Sequence, residues 1–151
     1  MRMNMNAPSG PLVYHNDPSN CGPLDIVARL QEFYWDYEEF QWDFFQTIPI
    51  YKSIVNQVSM TQRDGMGIFI PINEFEIHVD SDPFIIIRRG AESCLSLRHK
   101  RHRDSPQRDN WEILDVDRPT MLCDKDQIRM QTNAEYPHNM YFEFQQLING
   151  L

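Results

Sequence analysis

Glycine is scarce in this chain, with six in 151 residues. Few positions therefore allow backbone to close on a cofactor, and no glycine-rich loop leads from a strand into a helix, as nucleotide binding requires. Gly65-Met66-Gly67 stands in the reverse order, after a helical pattern and before a strand-like one. There is no Gly-x-Ser-x-Gly elbow, no Cys-x-x-Cys and no His-Glu-x-x-His. Neither elbow-type hydrolysis nor a zinc site with paired ligands is signalled, although His99 and His102 stand three apart and Cys94, Cys123 and His138 occur elsewhere. Carboxylates are plentiful, but no pair is marked out for acid–base work. The three cysteines (Cys21, Cys94, Cys123) are too scattered for a disulfide framework, and the odd count argues for reduced thiols. Long hydrophobic runs are missing as well. Phe84–Ile87 is far shorter than the roughly 20 residues of a membrane span. Met1–Asn6 carries one Arg and no apolar stretch, unlike a secretory signal, and the chain has no Asn-x-Ser/Thr sequon. These absences predict an intracellular protein, of cytoplasm or nucleus, with no membrane segment, no metal, no cofactor and no catalytic set.

What is present in excess is aromatic surface in one place. Glu32–Phe45 holds Phe33, Tyr34, Trp35, Tyr37, Phe40, Trp42, Phe44 and Phe45 with five acids and no base. At helical spacing, Ile26, Leu30, Phe33, Tyr37, Phe40 and Phe44 form one apolar stripe. Trp35 and Trp42 fall about 200° from Phe33 and seven residues apart, stacked on a second face among Asp36, Glu38, Glu39 and Asp43. A helix apolar on two faces is either wrapped by the rest of the domain, with both indoles core, or it holds a partner. In the second case Trp35, Trp42, Asp36, Glu39 and Asp43 make a contact surface for a protein with Arg or Lys.

Charge is unevenly placed within a net of −8. Residues 1–58 hold three bases against seven acids, whereas residues 88–108 hold seven bases against two acids. Overall acidity opposes non-specific nucleic-acid binding, but Arg98, Lys100, Arg101, Arg103 and Arg108 form a basic patch able to grip phosphates or to serve as an import signal. The patch has no aromatic residue for base stacking except Trp111 at its far end. A merely solvated loop is the alternative. Ser105-Pro106 within it is a candidate site for a proline-directed kinase, whose phosphate would cancel local charge.

The expected fold is α+β. Residues 1–20 read as a disordered arm and 21–151 as one domain. Gly22-Pro23 opens a helix that runs to about Gln46 and breaks or kinks near Pro49, with a second helical segment from Ile50 to Met60 and a turn at Asp64-Gly65. The period then drops to two. Strands are expected at Ile68–Ile72, Phe75–Asp80, Phe84–Arg89, Ser93–His99, Trp111–Val116, Thr120–Cys123 and Ile128–Thr132, with turns at Asn73-Glu74, Ser81–Pro83 and a hairpin at Gly90-Ala91. Met140–Ile148 reads as a closing helix, so the whole is a helical segment on an antiparallel meander or small sandwich. From Ile68 onward, short strands followed by a helix form an order that resembles a pleckstrin-homology-like sandwich.

The functional expectation is a non-catalytic protein–protein interaction module, such as an adaptor, regulatory subunit or assembly factor, using the acidic-aromatic face. An exposed strand edge near Pro71 is a second candidate contact, and homodimerisation through a self-complementary face is a further possibility. The alternatives are an RNA- or DNA-associated protein using Arg98–Arg108, and a small enzyme with no recognisable motif.

Overall fold

The computed structural model describes residues 13–18, 25–52, 55–63, 69–79, 82–91, 93–100, 111–132 and 140–147. Within them the chain is built from eleven strands, with no helical element. They are β1 (Val13–Pro18), β2 (Ile26–Asp36), β3 (Gln41–Tyr51), β4 (Val55–Arg63), β5 (Phe69–His78), β6 (Phe84–Arg88), β7 (Ser93–Arg98), β8 (Glu112–Ile113), β9 (Pro119–Leu122), β10 (Gln127–Thr132) and β11 (Met140–Gln146). A five-stranded sheet has the order β1-β4-β5-β6-β9, and a six-stranded sheet has the order β3-β2-β11-β10-β7-β8. Every strand pairing in both is antiparallel. No helix among the described residues is long and apolar enough to cross a membrane.

The α+β expectation is therefore corrected. The predicted N-terminal helix is the β2–β3 hairpin, the segment after Pro49 is the end of β3 and the start of β4, and the closing helix is β11. The last of these also removes the helix on which the pleckstrin-homology-like order depended. For the hairpin the physical reason lies in polar residues at inward positions, whereas β11 alternates cleanly but also carries Tyr141, Phe144, Leu147 and Ile148 at helical spacing. Along β2, Ala28, Leu30 and Glu32 are buried while Arg29 and Gln31 are half-buried, an alternation that an acid in the third inward place conceals. Pro49 does not break the hairpin, because β3 is an edge strand and a missing ladder donor is tolerated there. Asn73-Glu74 is not a turn either. Val58 pairs with Phe75 and Ser59 with Asn73, so Glu74 is the extra residue of a bulge in one continuous strand. Pro71 sits in the part of β5 that pairs with β4 alone among the described residues.

Gly90-Ala91 is likewise not a hairpin, since β6 and β7 belong to different sheets. The chain crosses between layers there, with the N–H groups of Arg89 and Gly90 both donating to Glu74 O at the bulge. It also crosses between β8 and β9, where Leu114 N donates to Leu95 O and Asp117 N to Arg88 O, and at β9–β10, β1–β2 and β3–β4. The last corner is held by the fully buried Asn56. Its Oδ1 accepts from Tyr51 N (2.8 Å) and Asn16 Nδ2 (2.7 Å), and its Nδ2 donates to Tyr51 O and Ile77 O. Val13–Pro18, within the segment expected to be an arm, is β1, paired along its length with β4. The expected helix start at Gly22-Pro23, the turn at Asp64-Gly65, and the rest of the arm lie outside the described residues.

The core fills the space between the sheets. Val58, Phe75, Ile77, Ile86 and Leu122 come from the first layer, and Leu30, Ile50, Leu97, Ile128, Phe142 and Phe144 from the second. Aromatic pairs stitch the layers together. Phe142 meets Tyr14 edge-on at 5.3 Å and Phe75 at 5.8 Å, and Phe144 meets Phe84 at 6.0 Å.

One acid sits inside this core. Glu32 is fully buried, its Oε1 accepts from Gln46 Nε2 (2.8 Å), and Oε2 has no hydrogen-bond partner among the described residues. Burial pushes its carboxyl above the usual range, against the lowering effect of hydrogen bonds from Gln46 and Tyr34. Because the folded form holds this proton more tightly than the unfolded chain, the contribution of Glu32 to stability is fully present at low pH and is lost as pH rises through the folded value. Glu32→Gln should flatten that slope and raise the thermal midpoint at pH 8 relative to wild type. Melting curves from pH 5 to 8 test this, and parallel slopes for the two proteins would contradict it. Glu76 has the opposite sign. Burial raises it, but Arg89 (3.0 Å) and His78 (3.0 Å) outweigh that and hold its carboxyl below the usual range.

Candidate functional site

The β2–β3 hairpin places its aromatic residues by strand pairing. Trp35 stands directly opposite Trp42, and Phe33 opposite Phe44, with Tyr141 of β11 beside Phe33 on the other flank. These five side chains share the outer face of the six-stranded sheet, away from buried Leu30 and Glu32. The rings form a chain of contacts. Trp35 meets Trp42 at 5.3 Å, Trp42 meets Tyr141 at 4.8 Å, Phe33 stacks on Tyr141 at 5.0 Å, and Phe33 meets Phe44 at 5.8 Å. A bulge at Phe45 turns that ring the other way, onto Tyr34. Trp35 and Trp42 are thus brought together, on a hairpin and not on a helix face.

Much of this surface is open to water. Trp42 is 42% exposed, Phe44 55% and Phe40 76%. Half of the large hydrophobic residues exposed among the described residues lie between Tyr37 and Phe45. Such a concentration is unusual for a surface that touches nothing. At the tip, Asp36 Oδ1 accepts from the N–H groups of Glu38 (2.8 Å) and Glu39 (3.2 Å), a side-chain-stabilised turn. It ends at Phe40 with φ of 54°. A bulky residue held in the left-handed region costs on the order of 1–3 kcal/mol and gathers at functional sites. Glu38 and Glu39 are exposed, and Asp43 Oδ1 accepts from Gln41 Nε2. Of the predicted contact acids, Asp36 therefore serves the turn, Glu39 is exposed within it, and Asp43, paired with Tyr34 between the two outward pairs, lies on the opposite face of the hairpin from the rings.

The same face continues across the sheet. Arg129 of β10 is the register partner of Tyr141, and its guanidinium lies 4.4 Å from the ring centroid of Trp111. Arg98 approaches the same indole at 4.5 Å and donates to Gln127 Oε1 through Nε and Nη2. Arg98, predicted as part of a free basic loop, is thus laid on the sheet, while Lys100 is exposed. Arg101, Arg103, Arg108 and Ser105 lie outside the described residues. Sequence reasoning missed Phe33, Phe44, Tyr141 and Arg129 as members of this face. The alternation Met140-Tyr141-Phe142-Glu143-Phe144 was the signal that would have placed Tyr141 on it. Comparison with protein-family models, curated proteins and solved structures finds no match to this chain.

Proposed function

We propose that this chain is a non-catalytic interaction module, an adaptor, regulatory subunit or assembly factor, that holds a basic segment of another protein on the aromatic face of β2, β3 and β11. The observation that carries the reading is the run of contacting rings from Phe44 to Tyr141, with Trp42 and Phe44 about half exposed. Tryptophan and tyrosine bury large areas at little entropic cost and dominate binding hot spots. The occupant's chemistry follows from the border. Residues 30–51 contain no Lys or Arg, while Glu38 and Glu39 are exposed in the turn that closes the hairpin beside Trp35 and Trp42. Arginine or lysine side chains satisfy both the ring faces and the carboxylates. A second copy docked face to face would set these acids against themselves, and phosphates would meet them with like charge.

The test is calorimetric titration with an Arg/Lys-rich peptide. Binding should saturate and weaken with salt. Trp42→Ala with Phe44→Ala should weaken it at least about 30-fold, the scale of a hot-spot loss of about 2 kcal/mol. Glu38→Lys with Glu39→Lys, both exposed in the turn, should weaken it as well while circular dichroism stays unchanged. Undiminished affinity in both folded variants, or no binding to wild type, would overturn the reading.

A further inference from the structure

On a different part of the molecule, three side chains of metal-ligating type converge. His99 follows β7, and Cys123 and Asp126 flank the turn between β9 and β10. One ligand atom from each lies within 4.8 Å of the other two. Asp126 is fully buried, and His99 and Cys123 are half-buried. His99 Nδ1 stands 2.8 Å from Asp126 Oδ2. The turn that carries the other two is preshaped. Cys123 N donates to Asp126 Oδ2 (2.7 Å), Asp126 N donates to Cys123 O, and Lys125 takes a φ of 71°. Two further bonds, Lys125 N to Phe144 O and Phe144 N to Asp126 O, lock it to β11.

We propose that this cluster binds a borderline-soft divalent cation, of the Zn2+ class, through Cys123 Sγ, a His99 ring nitrogen and an Asp126 carboxylate oxygen. A thiolate, an imidazole and a carboxylate together suit zinc, whereas calcium and magnesium call for oxygen alone. In a tetrahedral site with bonds of about 2.0–2.3 Å, ligand atoms sit about 3.3–3.6 Å apart. Loss of the hydrogen now shared by His99 and Asp126, and an opening of about half an ångström between them, would bring that pair to this spacing. The hydrogen on His99 Nδ1 passes through solvent to Nε2 of the same neutral ring, the cation takes its place, and the Cys123 thiol releases its proton to solvent as the metal–sulfur bond forms. Affinity therefore falls as pH falls. Three protein ligands leave a fourth position for water, as in open zinc sites. Paired-ligand spacing gave no hint of this arrangement, because one ligand lies on a separate loop and the other two form Cys-x-x-Asp, residues 123–126.

The test is titration of the full chain with Co2+ in a thiol-free reductant, followed by Zn2+. The expected result is a thiolate-to-cobalt absorption that saturates at one equivalent and is erased by Zn2+. Cys123→Ser should abolish it, His99→Gln should weaken binding more than tenfold, and Cys21→Ser with Cys94→Ser should leave it intact. Cys123→Ser exchanges one atom and keeps the backbone N–H on Asp126, and circular dichroism checks its fold. No thiolate absorption in wild type, or an absorption that Cys123→Ser leaves unchanged, would overturn the assignment.

Discussion

Truncating Phe142 to alanine should lower the unfolding free energy by about 3–5 kcal/mol, the range for a buried phenylalanine. Phe142 is fully buried on the inner face of β11 and bridges both layers through edge-on contacts with Tyr14 and Phe75. Removing the ring forfeits its transfer energy, leaves a cavity between two sheets that close only partly, and breaks two aromatic pairs worth about 0.5–1.5 kcal/mol each. Domains of this size are stable by only about 5–15 kcal/mol, so much of the margin would go. Urea unfolding should show a lower midpoint with an unchanged slope. The same truncation at Phe44, on the outer face and 55% exposed, should cost far less. Equal costs at the two positions would mean the layers are not packed through β11 as described.

Asn56→Ala should be the most damaging polar substitution, by about 3 kcal/mol, because it strands several buried groups at about 1–3 kcal/mol each before relaxation. The lost amide serves Tyr51 N, Tyr51 O, Ile77 O and Asn16 Nδ2 at the corner where β3 leaves one sheet and β4 enters the other. An alanine there fills no void and satisfies none of the four. Besides the lower midpoint in urea, hydrogen exchange should accelerate first at Tyr51, ahead of the strands of the far edge. A variant within about 0.5 kcal/mol of wild type, as for an ordinary surface change, would show that the corner is held by other means.

Between β5 and β10, strands were legible where period-two alternation ran without an inward polar residue, as at Phe75-Glu76-Ile77 and Cys94-Leu95-Ser96-Leu97. β11 alternates as cleanly but read as a helix, because Tyr141, Phe144, Leu147 and Ile148 also fall at helical spacing. The hairpin was not, for reasons carried by particular residues. Glu32 occupies an inward position on β2, and Gln46 turns inward from β3 to meet it. Trp35 and Phe33 then load the outer face with apolar mass, so neither face looked polar. The bulge at Phe45 shifted the register by one and broke what alternation remained. The turn at Asp36–Phe40 carries no glycine, since Asp36 caps it and Phe40 itself takes the left-handed conformation. The adjacency of Trp35 and Trp42 was legible despite this. Seven residues bring two side chains together on a helix, and the same seven do so across a hairpin whose turn spans four. Tyr141, Arg129 and Trp111 joined the face only through pairing over long sequence distance, which no local pattern records.

The claim that the hairpin face is a binding surface meets its most direct test at Trp42. A chain carrying Trp35→Phe and Trp111→Phe leaves Trp42 as its sole indole. Acrylamide quenching of that indole is then measured in the monomer, with and without a saturating Arg/Lys-rich peptide. The account predicts ready quenching in the free protein, strong protection on adding the peptide, and no protection from a Glu-rich peptide. An indole shielded from the start, or one still quenched when the basic peptide is bound, would place the binding surface elsewhere.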